Sequence, residues 1–130
     1  MSRYLLDANV LIALTVAEHV HHEAAARWFT TIPRAALCPL VEGALVRYLV
    51  RVGVPATSVQ SLLRALHQDD RIEFWADELS YAEVPLAHVT GHRQVSDAYL
   101  AALAVERGGL LATLDRGLVQ TLPSSVLLIE

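Results

Sequence analysis

Residues 3–14 read RYLLDANVLIAL. Three apolar residues, Tyr4 to Leu6, run into Asp7, and a second apolar run, Val10 to Leu14, begins after Asn9. The first run has the length of a short buried strand, and the second reads as an apolar helix. A carboxylate between two segments that both favour burial calls for a reason. Asp7 and Asn9 are good helix N-caps, and capping alone would account for either. The choice between a cap and a functional group depends on whether the arrangement recurs along the chain.

The same alternation continues. Segments 35–38, 71–75, 110–114 and 126–129 read as further short strands, and 22–29 as a helix. Pro39 sits where the first turn of a helix tolerates it. Over 40–52, apolar residues at 41, 44, 45, 48, 49 and 52 have helical spacing, and Gly53 and Pro55 end the run. A second amphipathic pattern covers 57–67, with Val59, Leu62, Leu63 and Leu66 on one side. Ser96 opens a strong helix closed by Gly108 and Gly109. Residues 116–121 read as a short helical turn, and 77–91 as loop or short helix. Short apolar strands alternating with helices predict an α/β fold, a central parallel sheet of about five short strands covered by helices.

Composition narrows the function. The chain has 130 residues, the size of one domain, and is 54% hydrophobic with mean hydropathy +0.39, which excludes disorder. That surplus of apolar surface points to a partner or a second copy. Net charge is −4, against a constitutive high-affinity nucleic-acid binder. All basic residues are arginine, so mechanisms that need a lysine are excluded. Cys38 is the only cysteine, consistent with a reducing, cytoplasmic location. The longest apolar stretch, 10–17, is far too short to span a membrane, and Asp7 interrupts any signal peptide.

Four acids share one kind of position. Asp7 lies just past the first strand and Asp115 just past the strand at 110–114. Glu42 and Asp97 lie in the first turns of the helices that follow Pro39 and Ser96. In open parallel sheets, ligands bind outside the carboxyl ends of the strands, beside helix N-termini. Each acid alone has an ordinary explanation as cap, dipole partner or turn residue. Together they interrupt apolar segments, whereas other acids lie in polar surroundings such as HQDDR at 67–71. Converging carboxylates repel unless protonated or bridged by a cation, and hard oxygen ligands without Cys or His suit Mg²⁺ or Mn²⁺. On this reading Asp7 is a metal ligand rather than a cap, and the carboxylates have raised pKa values as a group. Asp7→Asn then leaves the metal-free protein no less stable.

LLDANVLIAL at 5–14, Glu42 within PLVEGALVRYL at 39–49, TGHRQVSDAYLAALA at 90–104 and GGLLATLDRGL at 108–118 occur in that order. The chain thereby resembles the PIN-domain ribonucleases, and most closely the VapC-type toxins of bacterial toxin–antitoxin pairs. The resemblance covers nearly the whole chain; only 78–88 matches poorly. It implies Mg²⁺- or Mn²⁺-dependent endonucleolytic cleavage of single-stranded or looped RNA, with a cognate antitoxin as partner. Asp7, Glu42, Asp97 and Asp115 match the family's acidic quartet, and Asn9 and Thr113 the polar residues beside it. Asp7 and Asp97 are then the direct ligands, while Glu42 and Asp115 complete the site or bind through water.

Rival readings fail on particular residues. A receiver domain needs a lysine near its acids. A phosphatase of the aspartyl-nucleophile class needs a second Asp two positions after the first, where this chain has Asn9. A non-toxin PIN-fold nuclease, or a PIN fold that only binds RNA or protein, is the remaining alternative. Arg93 and Arg116 are candidate phosphate contacts, with His92 a weaker one. His19, His21 and His22 match no zinc spacing. Trp28 and Trp75 read as core or interface anchors. The helices at 10–17, 40–52 and 57–67 supply apolar faces for a homodimer contact and an antitoxin groove.

Overall fold

The computed structural model describes residues 3–130. Its strands are β1 (Arg3–Leu6), β2 (Arg34–Leu37), β3 (Ile72–Phe74), β4 (Leu110–Thr113) and β5 (Val126–Leu128). They form one parallel sheet in the order β3-β2-β1-β4-β5. Leu5 sits at the centre, opposite Ala36 on one side and Leu111 on the other. The helices are α1 (Ala8–Thr15), α2 (His22–Phe29), α3 (Pro39–Arg51), α4 (Ala56–His67), α5 (Val95–Glu106) and α6 (Arg116–Thr121). Both α1 and α5 pack on β1 and β4. The middle strands are therefore runs of apolar residues rather than alternating, with polar residues only at their ends, Arg3 and Arg34 at the start of β1 and β2 and Thr113 at the end of β4.

This strand order decides where a ligand binds. The chain leaves β1 toward β2 and β3, then returns across β1 to lay β4 and β5 on the other side. The direction reverses between β1 and β4, and the carboxyl ends of those two strands open a crevice there. Asp7 follows β1 directly, and Thr113 and Asp115 end and follow β4. The buried side chains Leu5, Leu37, Leu45, Leu103 and Leu111 form the floor of the core beneath.

Local chemistry explains most element ends. Pro39 occupies the first turn of α3, and Gly53, at φ +101°, turns the chain toward α4. Gly108, at φ +75°, terminates α5. Gly109 has a different role: a methyl group there would collide with the Arg3 carbonyl, so glycine permits the close approach of β4 to β1. Helix α1 begins two residues before its apolar run, because Asp7 caps it. Residues 77–91 are loop with one 3-10 turn, Tyr81–Glu83. Trp75 is fully buried and Trp28 packs edge-on to Tyr4, so both serve the core.

Candidate active site

The crevice is organised around Thr113, a fully buried hydroxyl at the end of β4. Its Oγ1 donates to Asp7 Oδ2 at 2.7 Å and accepts from Asn9 Nδ2 at 3.2 Å and the Asp115 N–H at 3.1 Å. Asn9 Oδ1 accepts from the Leu114 N–H at 3.2 Å. These bonds tie the start of α1 to the end of β4 and fix the Asp7 carboxylate between them. Asn9 and Thr113 are joined to Asp7 through a hydroxyl that uses its donor and both acceptor directions.

Asp7 also accepts from the Ala8 N–H at 2.7 Å and is the N-cap of α1. The sequence reading set cap against ligand, and the structure shows that the capping role is real. One carboxylate oxygen serves the helix and the other accepts from Thr113. Asp115 is likewise the N-cap of α6, accepting from the N–H groups of Gly117 and Leu118. Both caps face the crevice because both helices start there.

Asp97 differs from these two. It lies in the first turn of α5, half-buried, and its carboxylate has no hydrogen-bond partner among the described residues. Burial pushes its pKa up to about 6, with further contributions from the charges of Asp7 and then Asp115. Burial also raises Asp7, against the lowering effect of the Thr113 and Ala8 hydrogen bonds, and Asp115 adds to the rise. The three aspartates therefore act on one another across the crevice.

Glu42 has a different partner. It is in the first turn of α3, as expected, but its Oε2 is 2.6 Å from His67 Nε2. Among the described residues, no three His, Cys, Asp or Glu side chains converge tightly enough to hold a metal ion. The donor chemistry still fits a hard divalent cation. Among the described residues it offers carboxylate oxygens at the crevice with no arginine paired to them, and the Asp97 carboxylate has no hydrogen-bond donor.

A cleft of about 240 Å³ opens beside the aspartates, lined by Asp97, Asp115, His88, Gln94, Leu118 and Thr121 among others. Gln94 and His88 were not anticipated. Gln94 Oε1 accepts from the Thr90 N–H, the Thr90 hydroxyl and the Gly91 N–H, and so holds the 90–94 loop at the cleft wall. The spacing from Gly91 to Gln94 ahead of an apolar helix was the available signal. Nothing in the sequence pointed to His88, whose Nε2 is buried without a partner among the described residues. Arg93 and Arg116 are exposed and form no ion pair among the described residues, leaving both guanidinium groups free. Two of the histidines at 19–22 have ring nitrogens engaged by the backbone: His19 Nδ1 accepts from the His21 N–H, and His22 Nδ1 bonds the Ala13 carbonyl. No helix among the described residues is long and apolar enough to cross a membrane.

Comparison with known proteins agrees with this architecture. The PIN domain family model matches residues 4–121. Ribonuclease VapC29 of Mycobacterium tuberculosis is 56% identical over 115 residues, covering 88% of this chain and 86% of that protein. Ribonuclease VapC38 of the same organism is 36% identical over 120 residues, covering 87% and 85%. Two crystal structures share the fold at a TM-score of 0.68. One is Mycobacterium tuberculosis VapC20, a Sarcin-Ricin loop cleaving toxin, at 17% identity over 90% of this chain and 93% of that one. The other is VapBC2 of Rickettsia felis bound to a promoter DNA fragment, at 16% identity over 98% and 99%. With a family match over almost the entire described sequence and relatives 56% and 36% identical, the chain belongs to the VapC family of PIN-domain ribonucleases, the toxins of toxin–antitoxin systems.

Proposed function

We propose that residues 1–130 act as one PIN-like domain, a metal-dependent endoribonuclease that cuts single-stranded or looped RNA at the β1–β4 crevice. The observation that carries the reading is Asp97: a half-buried carboxylate without a hydrogen-bond partner among the described residues, facing the charges of Asp7 and Asp115. Asp7 and Asp97 are the primary ligands of a Mg²⁺ or Mn²⁺ ion, and Asp115 and Glu42 complete the site. Bound there, the ion supplies positive charge to the phosphate oxygens and lowers the pKa of an attacking water. Thr113 and Asn9 hold the Asp7 carboxylate in place before substrate arrives, which avoids reorganisation during the reaction. Arg93 and Arg116 at the rim bind flanking phosphates, where a guanidinium can grip two oxygens at once.

The chain's natural partner in this reading is a cognate antitoxin. A groove of about 320 Å³, away from the helices at 10–17, 40–52 and 57–67 where the sequence placed the antitoxin groove, has Leu79, Pro85, Ala101, Val105 and Leu122 in its lining with Glu83 and Glu106, and shares His88 with the active cleft. A peptide lying in it reaches the aspartates, so an arginine from that peptide would block both cation and RNA. Exposed Val50 and Val52 at the end of α3 support a homodimer contact. The direct test of the enzymatic reading is cleavage of structured RNA by purified protein. Cleavage should stop in EDTA, return with Mn²⁺ or Mg²⁺, and be lost in Asp97→Asn. Activity that survives the chelator removes the metal mechanism. The partner reading is tested by co-expression and light scattering: no co-purifying small protein, and a strict monomer, would count against it.

A further inference from the structure

Glu42 has one side-chain partner among the described residues, and it is His67. The contact is short, 2.6 Å from Nε2 to Oε2. A carboxylate can only accept, so His67 Nε2 donates. The pair lies at the surface, with the carboxylate the better covered partner: the Glu42 side chain keeps 17% of its exposure and His67 35%. The imidazole is itself held, edge-on to Phe74 with ring centroids 5.7 Å apart.

The fold explains why these two residues meet across 25 positions of sequence. Helices α3 and α4 contain 13 and 12 residues, so at about 1.5 Å per residue they are nearly equal in length. Gly53 and Pro55 reverse the chain between them, and the helices pack against each other. The last residue of α4 therefore returns to the first turn of α3, at the carboxyl edge of the sheet. Phe74, the last residue of β3, arrives at the same edge.

We propose that His67 is a positioning residue for the acidic site: it fixes the Glu42 carboxylate by holding Oε2, leaving Oε1 as the oxygen available to the cation. This rests on the reading of the four acids as one cation site. A carboxylate on a three-torsion side chain loses much rotamer freedom when it binds an ion, and a partner that pre-orders it removes that cost. Glu42 lacks the hydroxyl and backbone donors that immobilise Asp7, and His67 takes their place.

The test uses the whole chain and Mn²⁺ as the probe, with affinity read by electron paramagnetic resonance in the absence of RNA. His67→Ala should weaken Mn²⁺ binding by about tenfold, the low end for residues that orient metal ligands. His67→Gln, whose amide nitrogen reproduces the Nε2 donor, should recover most of the loss. In a Glu42→Ala background, His67→Ala should have no further effect. Unchanged affinity in His67→Ala overturns the proposal. So does tighter binding, which would mean that His67 holds Glu42 away from the ion. A full effect persisting without Glu42 overturns it as well, because His67 would then act elsewhere. Asp97→Asn serves as the control: if it binds Mn²⁺ like the wild type, the cation-site reading itself fails, and the proposal falls with it for a distinguishable reason.

Discussion

Replacing Asp97 by asparagine should stabilise the metal-free protein at neutral pH. The side chain keeps its shape, and no protein hydrogen bond is lost, since none is made among the described residues. Its folded-state pKa is raised from 3.8 to about 6. At about 1.4 kcal/mol per pH unit, that displacement corresponds to about 3 kcal/mol, and solvent screening of a half-buried carboxylate reduces it to about 1–2 kcal/mol. The sign follows from proton binding. Between pH 3.8 and 6 the folded protein keeps a proton that the unfolded chain has released, so wild-type stability falls as pH rises through that window. The penalty is complete above it and absent below it. Asp97→Asn removes the penalty, and its advantage should be largest at pH 7.5, about 3–6 °C in Tm, and shrink to about a third at pH 4.5. Excess Mn²⁺ should reverse the order by stabilising the wild type alone. Thermal unfolding in EDTA at the two pH values decides. A mutant that is no more stable at pH 7.5, or whose advantage is the same at pH 4.5, refutes the argument.

Thr113→Val removes the donor to Asp7 and the acceptor for Asn9 and the Asp115 N–H; urea unfolding should show a loss of about 2–3 kcal/mol. Gly109→Ala pushes a methyl group into the Arg3 carbonyl and should cost about 1–3 kcal/mol in the same assay, whereas neutrality would mean that β1 and β4 can separate freely. Cys38 is fully buried, and burial pushes its thiol up to about 12, so it should resist a thiol reagent at pH 7.5 until the protein unfolds; rapid labelling of native protein would contradict the burial of the junction between β2 and α3.

The sheet and its covering helices were legible because the apolar runs are short, uninterrupted and separated by Gly, Pro and charged residues. Pro39 and Gly53 marked α3, and the glycines at 108–109 marked the end of α5. The aspartates were legible for the same reason, as charges at the ends of apolar segments. What the sequence could not carry was direction. Whether Asp7 caps a helix or faces a ligand depends on where two separate oxygens point, and the structure gives each a different partner. Glu42 was placed correctly on α3, but its carboxylate is engaged by a residue on the neighbouring helix that no local pattern marks. His88 and Gln94 lie in a stretch without periodicity, so only the folded cleft brings them to the aspartates. Asp7→Asn is accordingly a poorer test of stability: its amide has one oxygen for two donors, so its N–H₂ faces either the Ala8 N–H or the Thr113 hydroxyl, and one accepted bond is lost.

The claim that Asp7, Asp97 and Asp115 together create one cation site is tested most directly by Mn²⁺ titration of the wild type and of each single Asp→Asn variant, without RNA. The account predicts saturable binding in the wild type and a loss of about tenfold or more in both Asp7→Asn and Asp97→Asn, with a smaller loss in Asp115→Asn, whose carboxylate is exposed and already serves α6. Equal Mn²⁺ affinity in all four proteins would contradict it.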